Sequence, residues 1–303
     1  MFRKPKLAFL AALLLLAPAV TLAKEATGVT SPAFTNVPEL SDGFRLLYEQ
    51  KFPEAHTTFA GWQSRHADEP FGAVAVAASC LFEEFYRQGV LTSDFFLDDK
   101  RFLHGIEVKP DSARMDRFRA ALERARSLAK EQLKANPKDS EALFVLTMAA
   151  GMESDAKAIL EKKHMESLKR MKEANEYARE LLAEKPDAAD AYVALGAANY
   201  IIGSLNRALR FALRFGGIRG DKKLGMQQLT QAAGGGRYLR PFAKILLALA
   251  ARREKEDALA QRLLRELNQE FPASPLFAAE YAKAMGRPVP AGTLGSAQHS
   301  PPK

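Results

Sequence analysis

The feature that most constrains this chain is a phrase that recurs along it. An apolar run is followed by a run rich in small residues and then by a proline-bearing turn. Asn136-Pro137 leads into Ser140-Glu141-Ala142-Leu143-Phe144-Val145-Leu146, and Lys185-Pro186 leads into Asp190-Ala191-Tyr192-Val193-Ala194-Leu195-Gly196. Phe271-Pro272, ahead of Leu276 and Phe277, is a third instance. Proline ends one helix and aims the chain at the next, while small residues let paired helices approach closely. The repetition therefore predicts stacked helical hairpins, an architecture that works by offering a surface. With 47% apolar residues among 303, the chain can bury a sizeable core. Runs of alternating Val, Ile and Thr are nearly absent, so no sheet is expected. The expected fold class is all-α: an irregular α-solenoid of about four to five hairpins.

The repeat does not extend over the whole sequence. Arg3, Lys4 and Lys6 precede the apolar run Leu7 to Ala17, and Thr21-Leu22-Ala23 supplies small residues before Lys24. That layout predicts a secretory signal over 1–23, cleaved after Ala23, and an exported, periplasmic protein. An uncleaved anchor is the competing reading. No cysteine follows the run, so no lipoprotein anchor is expected. Residues 24–37 read as a flexible lead-in, 38–285 as the repeat domain, and 286–303 as a disordered tail rich in Pro, Gly and Ser. Two stretches break the pattern. Leu91 to Ser112 lacks a sustained period but holds Phe95-Phe96-Leu97, and reads as an insert tucking aromatics against the array. The second insert spans about 204–222 and begins with a helix, Ser204 to Phe215. Gly216-Gly217 and Gly234-Gly235-Gly236 read as hairpin turns.

Tyr192-x-x-Leu195-Gly196-x-x-x-Tyr200 resembles the opening of a tetratricopeptide repeat. The matching second-helix pattern of small residue, apolar residue and proline is met by Ala174, Ala178, Leu181 and Pro186. Ala260, Leu264, Leu267 and Pro272 also meet it, and Ala125, Ala129 and Pro137 do so more loosely. The turn prolines Pro70, Pro137, Pro186 and Pro272 are spaced well beyond the roughly 34 residues of a regular array. The chain thus resembles a divergent tetratricopeptide protein. From Tyr192 to Leu239 it also looks like a group of exported bacterial repeat proteins. That group has no defined role, whereas secreted tetratricopeptide proteins generally act as adaptors in envelope assembly or transport, and one variant, a helical accessory of periplasmic solute transporters, binds small ligands. The resemblance implies that Tyr192 and Tyr200 are core residues within their hairpin. It implies that Asn199, on the helix lining the concave groove, is a partner contact.

The residues exclude more chemistry than they suggest. Cys80 lies alone in an apolar helix, where a thiol is a small core residue. His56, His66, His104, His164 and His299 are scattered without an i, i+4 pair or an HExxH, so no metal is expected. Asp98-Asp99 near Glu107 read as a solvated loop. The glycine clusters do not end in Gly-Lys-Ser/Thr and do not follow a strand, so they cradle no phosphate or dinucleotide. No nucleophile is paired with a base, and we expect no enzyme and no cofactor. The formal charge of +8 falls by three, to +5, without the N-terminal cations. That is too little to argue for nucleic acid.

The charge is concentrated, however. Residues 204–223 hold Arg207, Arg210, Arg214, Arg219, Lys222 and Lys223 against a single acid, Asp221. At about 100° per residue, Arg207, Arg210 and Arg214 share one narrow arc, with Leu205, Leu209, Ala212 and Leu213 opposite. One reading is a basic element for an acidic partner or an anionic membrane surface. The other is an insert whose leucines pack on the array while its arginines are merely solvated, and the balance of the sequence favours that one. The function expected from the sequence is non-enzymatic binding of a protein partner in the concave groove. The alternatives are a ligand-binding transporter accessory and a membrane-surface adaptor using 204–223.

Overall fold

A computed structural model describes residues 37–98, 106 and 108–289. The expected signal, most of the lead-in, Asp99, His104, Glu107, His299 and the tail from 290 lie outside the described residues. Thirteen α-helices and no strand occur among those described. They are α1 (Pro38–Tyr48), α2 (Phe52–Arg65), α3 (Pro70–Arg87), α4 (Ser93–Leu97), α5 (Ser112–Ala135), α6 (Ser140–Asp155) and α7 (His164–Glu184). Then come α8 (Tyr192–Ser204), α9 (Arg207–Phe215), α10 (Lys222–Gly235), α11 (Arg240–Arg253), α12 (Asp257–Glu270) and α13 (Pro275–Ala284).

The helix ends are written locally. Pro38, Pro70 and Pro275 each open a helix, where the missing N–H costs nothing. Side chains of Asp111, Asp139, Asn206, Asp221 and Ser274 accept hydrogen bonds from amides of the first turn. Pro137, Pro186 and Pro272 sit exposed two residues after α5, α7 and α12 end. The boundary near Lys162 is made without Gly or Pro. A single π turn, Ala156–Leu160, unwinds the end of α6, and Lys162 takes φ 57° before α7 begins. At Gly234-Gly235-Gly236 the expected turn comes late. α10 runs through Gly235, and the chain breaks at Gly236, where Asp190 binds the following amides.

Five hairpins result: α1/α2, α3/α5, α6/α7, α8/α10 and α11/α12, each packed on the next, with α13 closing the row. This is an all-α, solenoid-like stack. In the hairpin α8/α10 the helices touch backbone to backbone. A Cβ on Gly196 would lie 2.9 Å from the Leu229 nitrogen, and one on Gly225 would lie 2.5 Å from that of Tyr200. Ala174 and Ala260, buried on α7 and α12, are the small residues expected at such contacts.

The stack closes on itself. The Tyr238 ring, in the turn before α11, lies 5.3 Å from Phe44 of α1, 4.7 Å from Phe71 of α3 and 6.5 Å from Phe144 of α6. Tyr48 Oη donates to the Tyr238 carbonyl at 3.0 Å. Asp190 sets that turn by accepting the amides of Arg237 and Leu239 at 2.8 Å each. The first hairpin then reaches the last helix, where Ser274 Oγ donates to Gln50 Oε1 at 2.6 Å. One continuous core, from Leu40 to Phe277, draws on both helices of the hairpins.

Candidate functional site

Asn199, expected as a groove contact, is half-buried and donates from Nδ2 to Gln228 Oε1 at 2.8 Å, on the other helix of its own hairpin. Its polar side chain satisfies itself between α8 and α10. Tyr200, expected within its hairpin, reaches the next one. Its buried hydroxyl donates toward the Ala250 carbonyl (3.3 Å) and Glu254 Oε1 (3.1 Å) at the end of α11. Burial and the Glu254 charge raise its pKa well above the ordinary tyrosine value. Tyr192 and Leu195 pack in the core as the repeat pattern implies.

The second insert has a different character. α9 is capped at both ends. Asn206 Oδ1 accepts the Leu209 amide at 2.9 Å. At the other end Gly217 (φ 74°) donates to the Arg214 carbonyl and Ile218 to the Leu213 carbonyl, both at 3.0 Å. That is a Schellman closure, and its left-handed residue is the glycine that such a turn favours. Yet no residue of α9 is buried. Leu213 and Arg210 are half-buried, and Arg210 reaches the Gly203 carbonyl from 3.4 Å. The expected packing of the leucine face on the array is only partial, with Leu205 and Leu213 half-buried. Leu209, Ala208 and Ala212 are exposed, Phe211 is 64% exposed and Phe215 81%. The two rings meet edge to face, centroids 4.9 Å apart. Leu224, at the start of α10, adds to the same exposed apolar stretch of sequence.

The cations of this segment divide. Lys222 is neutralised by Glu254, 2.7 Å away, and Asp221 is used as the α10 cap on the Leu224 amide. Among the described residues no carboxylate pairs with Arg207, Arg210, Arg214, Arg219 or Lys223. The rest of the surface behaves otherwise. Glu153 alone meets Arg126, Lys157 and Arg170, and Glu161 meets Arg119, Lys157 and Lys163. Phe211 and Phe215 were not singled out by the sequence reading. The signal was present, in two phenylalanines at i, i+4 spacing beside the arginine arc, on a helix with no other aromatic.

One constellation has the residue types of a hydrolase. Ser79 Oγ lies 2.9 Å from His56 Nδ1, and His56 Nε2 lies 2.9 Å from Glu83 Oε2. Its setting is structural. Ser79 is fully buried in the middle of α3 and donates its hydroxyl to the Val76 carbonyl at 2.8 Å. The amides of a mid-helix turn are already bonded, so none is free to stabilise an oxyanion. Burial raises the Glu83 carboxyl, but hydrogen bonds from His56 and Arg114 outweigh it and hold the group below the ordinary range. Burial likewise pushes the Cys80 thiol up, away from reactivity. His66 stacks on Trp62, centroids 4.3 Å apart. Among the described residues no cluster of three His, Cys, Asp or Glu could hold a metal.

Two cavities bear on small-ligand binding. One, walled by Leu91, Ile245, Leu276 and Phe277, holds about 10 Å³, at most one water. The other is an open cleft of about 350 Å³ between α5 and α7, lined by four cations, Arg126 and Arg170 among them, and by the carboxylates Glu123, Glu131 and Glu173. No described helix is long and apolar enough to cross a membrane. No protein-family model matches this chain, and neither does any curated protein.

Proposed function

We propose that this chain is an exported, non-enzymatic docking protein of divergent tetratricopeptide type, and that α9 rather than the concave groove is its contact element. The observation that carries this reading is the coincidence, on one capped helix, of an exposed aromatic pair with arginines that no acid neutralises. A nine-residue helix has little stability of its own, so caps at both ends without burial indicate a shape kept for use. The closed core supports the same reading from the other side. With Tyr238 and its aromatic neighbours in the middle, contact with a partner falls to the outer surface. The cleft between α5 and α7 is open and salt-lined, which disfavours the ligand-binding alternative.

The test is site-specific photo-crosslinking in intact envelopes, with the photoreactive residue at Phe211 or at Met165. Met165 is the control, since it is also an exposed apolar residue (77%) but lies on the ion-paired α7. Adducts formed at 211 and absent at 165 are expected. Equal yields at both positions, or none at 211, would remove the docking assignment.

A further inference from the structure

The partner class of α9 follows from its shape and charge, and the step rests on the docking role just proposed. We propose that α9 lies in the interface of an anionic lipid bilayer, with Phe211 and Phe215 among the acyl chains. Arg207, Arg214, Arg219 and Lys223 would stay at headgroup level. Three observations select this occupant. First, the apolar residues cover a broad convex arc, from Phe211 and Phe215 through Ala208 and Ala212 to Leu209, on a helix none of whose residues is buried. A fluid surface receives such an arc whole, whereas a protein partner would need a matching trough. Second, the unpaired Arg207 and Arg214 border that arc on α9, with the exposed Arg219 and Lys223 following closely in the chain, the composition of helices that lie flat on anionic lipid. Third, the same charge argues against a second copy, because apposing two α9 helices would bring arginine against arginine.

The lipid is identified only by its chemistry, an anionic headgroup over acyl chains. The segment is set up for this placement. It leaves α8 and rejoins α10 at one point, where a Cβ on Gly203 would lie 2.6 Å from the Lys222 nitrogen. Both ends of the insert are therefore held at one place on the stack while α9 extends from it. Arg210, which reaches the Gly203 carbonyl, belongs to that attachment and not to the lipid contact.

The experiment is co-sedimentation of the full mature chain with vesicles of phosphatidylcholine alone or with one-third phosphatidylglycerol, at 50 and 500 mM NaCl. Binding to the anionic vesicles is expected, at least tenfold tighter than to the neutral ones and at least tenfold weaker at high salt. Phe211→Ser with Phe215→Ser should lower the partition coefficient at least tenfold, as should Arg207→Gln with Arg214→Gln and Lys223→Gln. A Phe215→Trp variant reports depth, because brominated acyl chains should quench it while the buried Trp62 is spared. Absence of binding to anionic vesicles at 50 mM NaCl overturns the inference, as does binding indifferent to both sets of substitutions. If vesicles fail but Phe211 crosslinks to a protein, the docking role survives and the lipid assignment falls. If both fail, both are withdrawn.

Discussion

The two inserts interrupt the same repeat, yet they are treated in opposite ways. The first carries Phe95, which is buried, and is fastened from several sides. The Ser93 amide donates to Glu280 at 3.0 Å, Arg252 reaches Ser93 Oγ at 2.8 Å, and Lys283 meets Asp94 at 2.6 Å. Arg253 also donates to the Phe96 carbonyl. The second insert carries two phenylalanines of its own and buries neither. The first insert thus serves closure, binding the early hairpins to α11 and α13, while the second serves the exterior. An aromatic residue in an insert is not informative by itself. What matters is whether polar groups on a neighbouring element are committed to holding its backbone.

That contrast predicts unequal costs. The largest should come from the point where the first insert returns to the array. Glu84, almost fully buried, accepts from the Asp111 amide at 3.4 Å and is matched by Arg114 Nη1 at 2.5 Å. Arg114→Met leaves this carboxylate only the Gln88 amide and the Asp111 N–H, removes the Glu83 pair as well, and should cost about 4 kcal/mol in urea unfolding, within the range for breaking a buried pair. A loss below about 1 kcal/mol would mean that the return point is not held by this charge. Next comes Phe95→Ala, which empties a buried site between α4 and its neighbours and should cost about 3 kcal/mol.

These two residues also mark what could be read from the sequence. The hairpins were legible because their signals are local: prolines and capping residues at helix ends, small residues where helices pair. The place of Gly196 at a close contact followed from the same pattern. Closure was not legible, since Tyr48 and Tyr238 are separated by 190 residues and nothing in either neighbourhood names the other. The Asn199–Gln228 contact across 29 residues was not legible for the same reason. The cations of the candidate site were legible, but its exposure was not. Amphipathy shows that one face of α9 is apolar without showing whether the array covers it.

A third prediction concerns pH. The first insert lies against the π turn, with the Ile106 amide donating to the Ile159 carbonyl at 3.2 Å, and Asp155 directly precedes that turn. Burial raises the Asp155 carboxyl to about 7, and no charged group contributes to the shift. A carboxyl raised in the folded state binds its proton more tightly there than in the unfolded chain. Its stabilising effect is complete below about pH 4 and is lost as pH rises through 7. Asp155→Asn should flatten this decline and stabilise the protein by about 2 kcal/mol at pH 8, less than the full linkage value because the residue is half-buried. Thermal melts at pH 5 and pH 8 decide the matter. An unchanged difference between the two would show that Asp155 ionises freely.

The smallest expected effect is the sharpest test of the comparison. Phe211→Ser with Phe215→Ser changes as much apolar surface as a severe core substitution, but on a helix that buries nothing. Exposed sites of this kind shift stability by roughly 0.5 kcal/mol or less. The urea midpoint should therefore stay at its wild-type value while vesicle binding is lost. Should the unfolding free energy fall by 2 kcal/mol or more, α9 folds down onto the stack in solution and the two inserts are alike after all. The aromatic pair would then be core, and the cations beside it a solvated rim. If the midpoint holds and binding holds too, the exposed rings are idle, and attraction to the bilayer would have to come from Arg207, Arg214, Arg219 and Lys223 alone. Only an unchanged midpoint with lost binding assigns the rings to the partner, and that result would separate an insert that builds the fold from one that uses it.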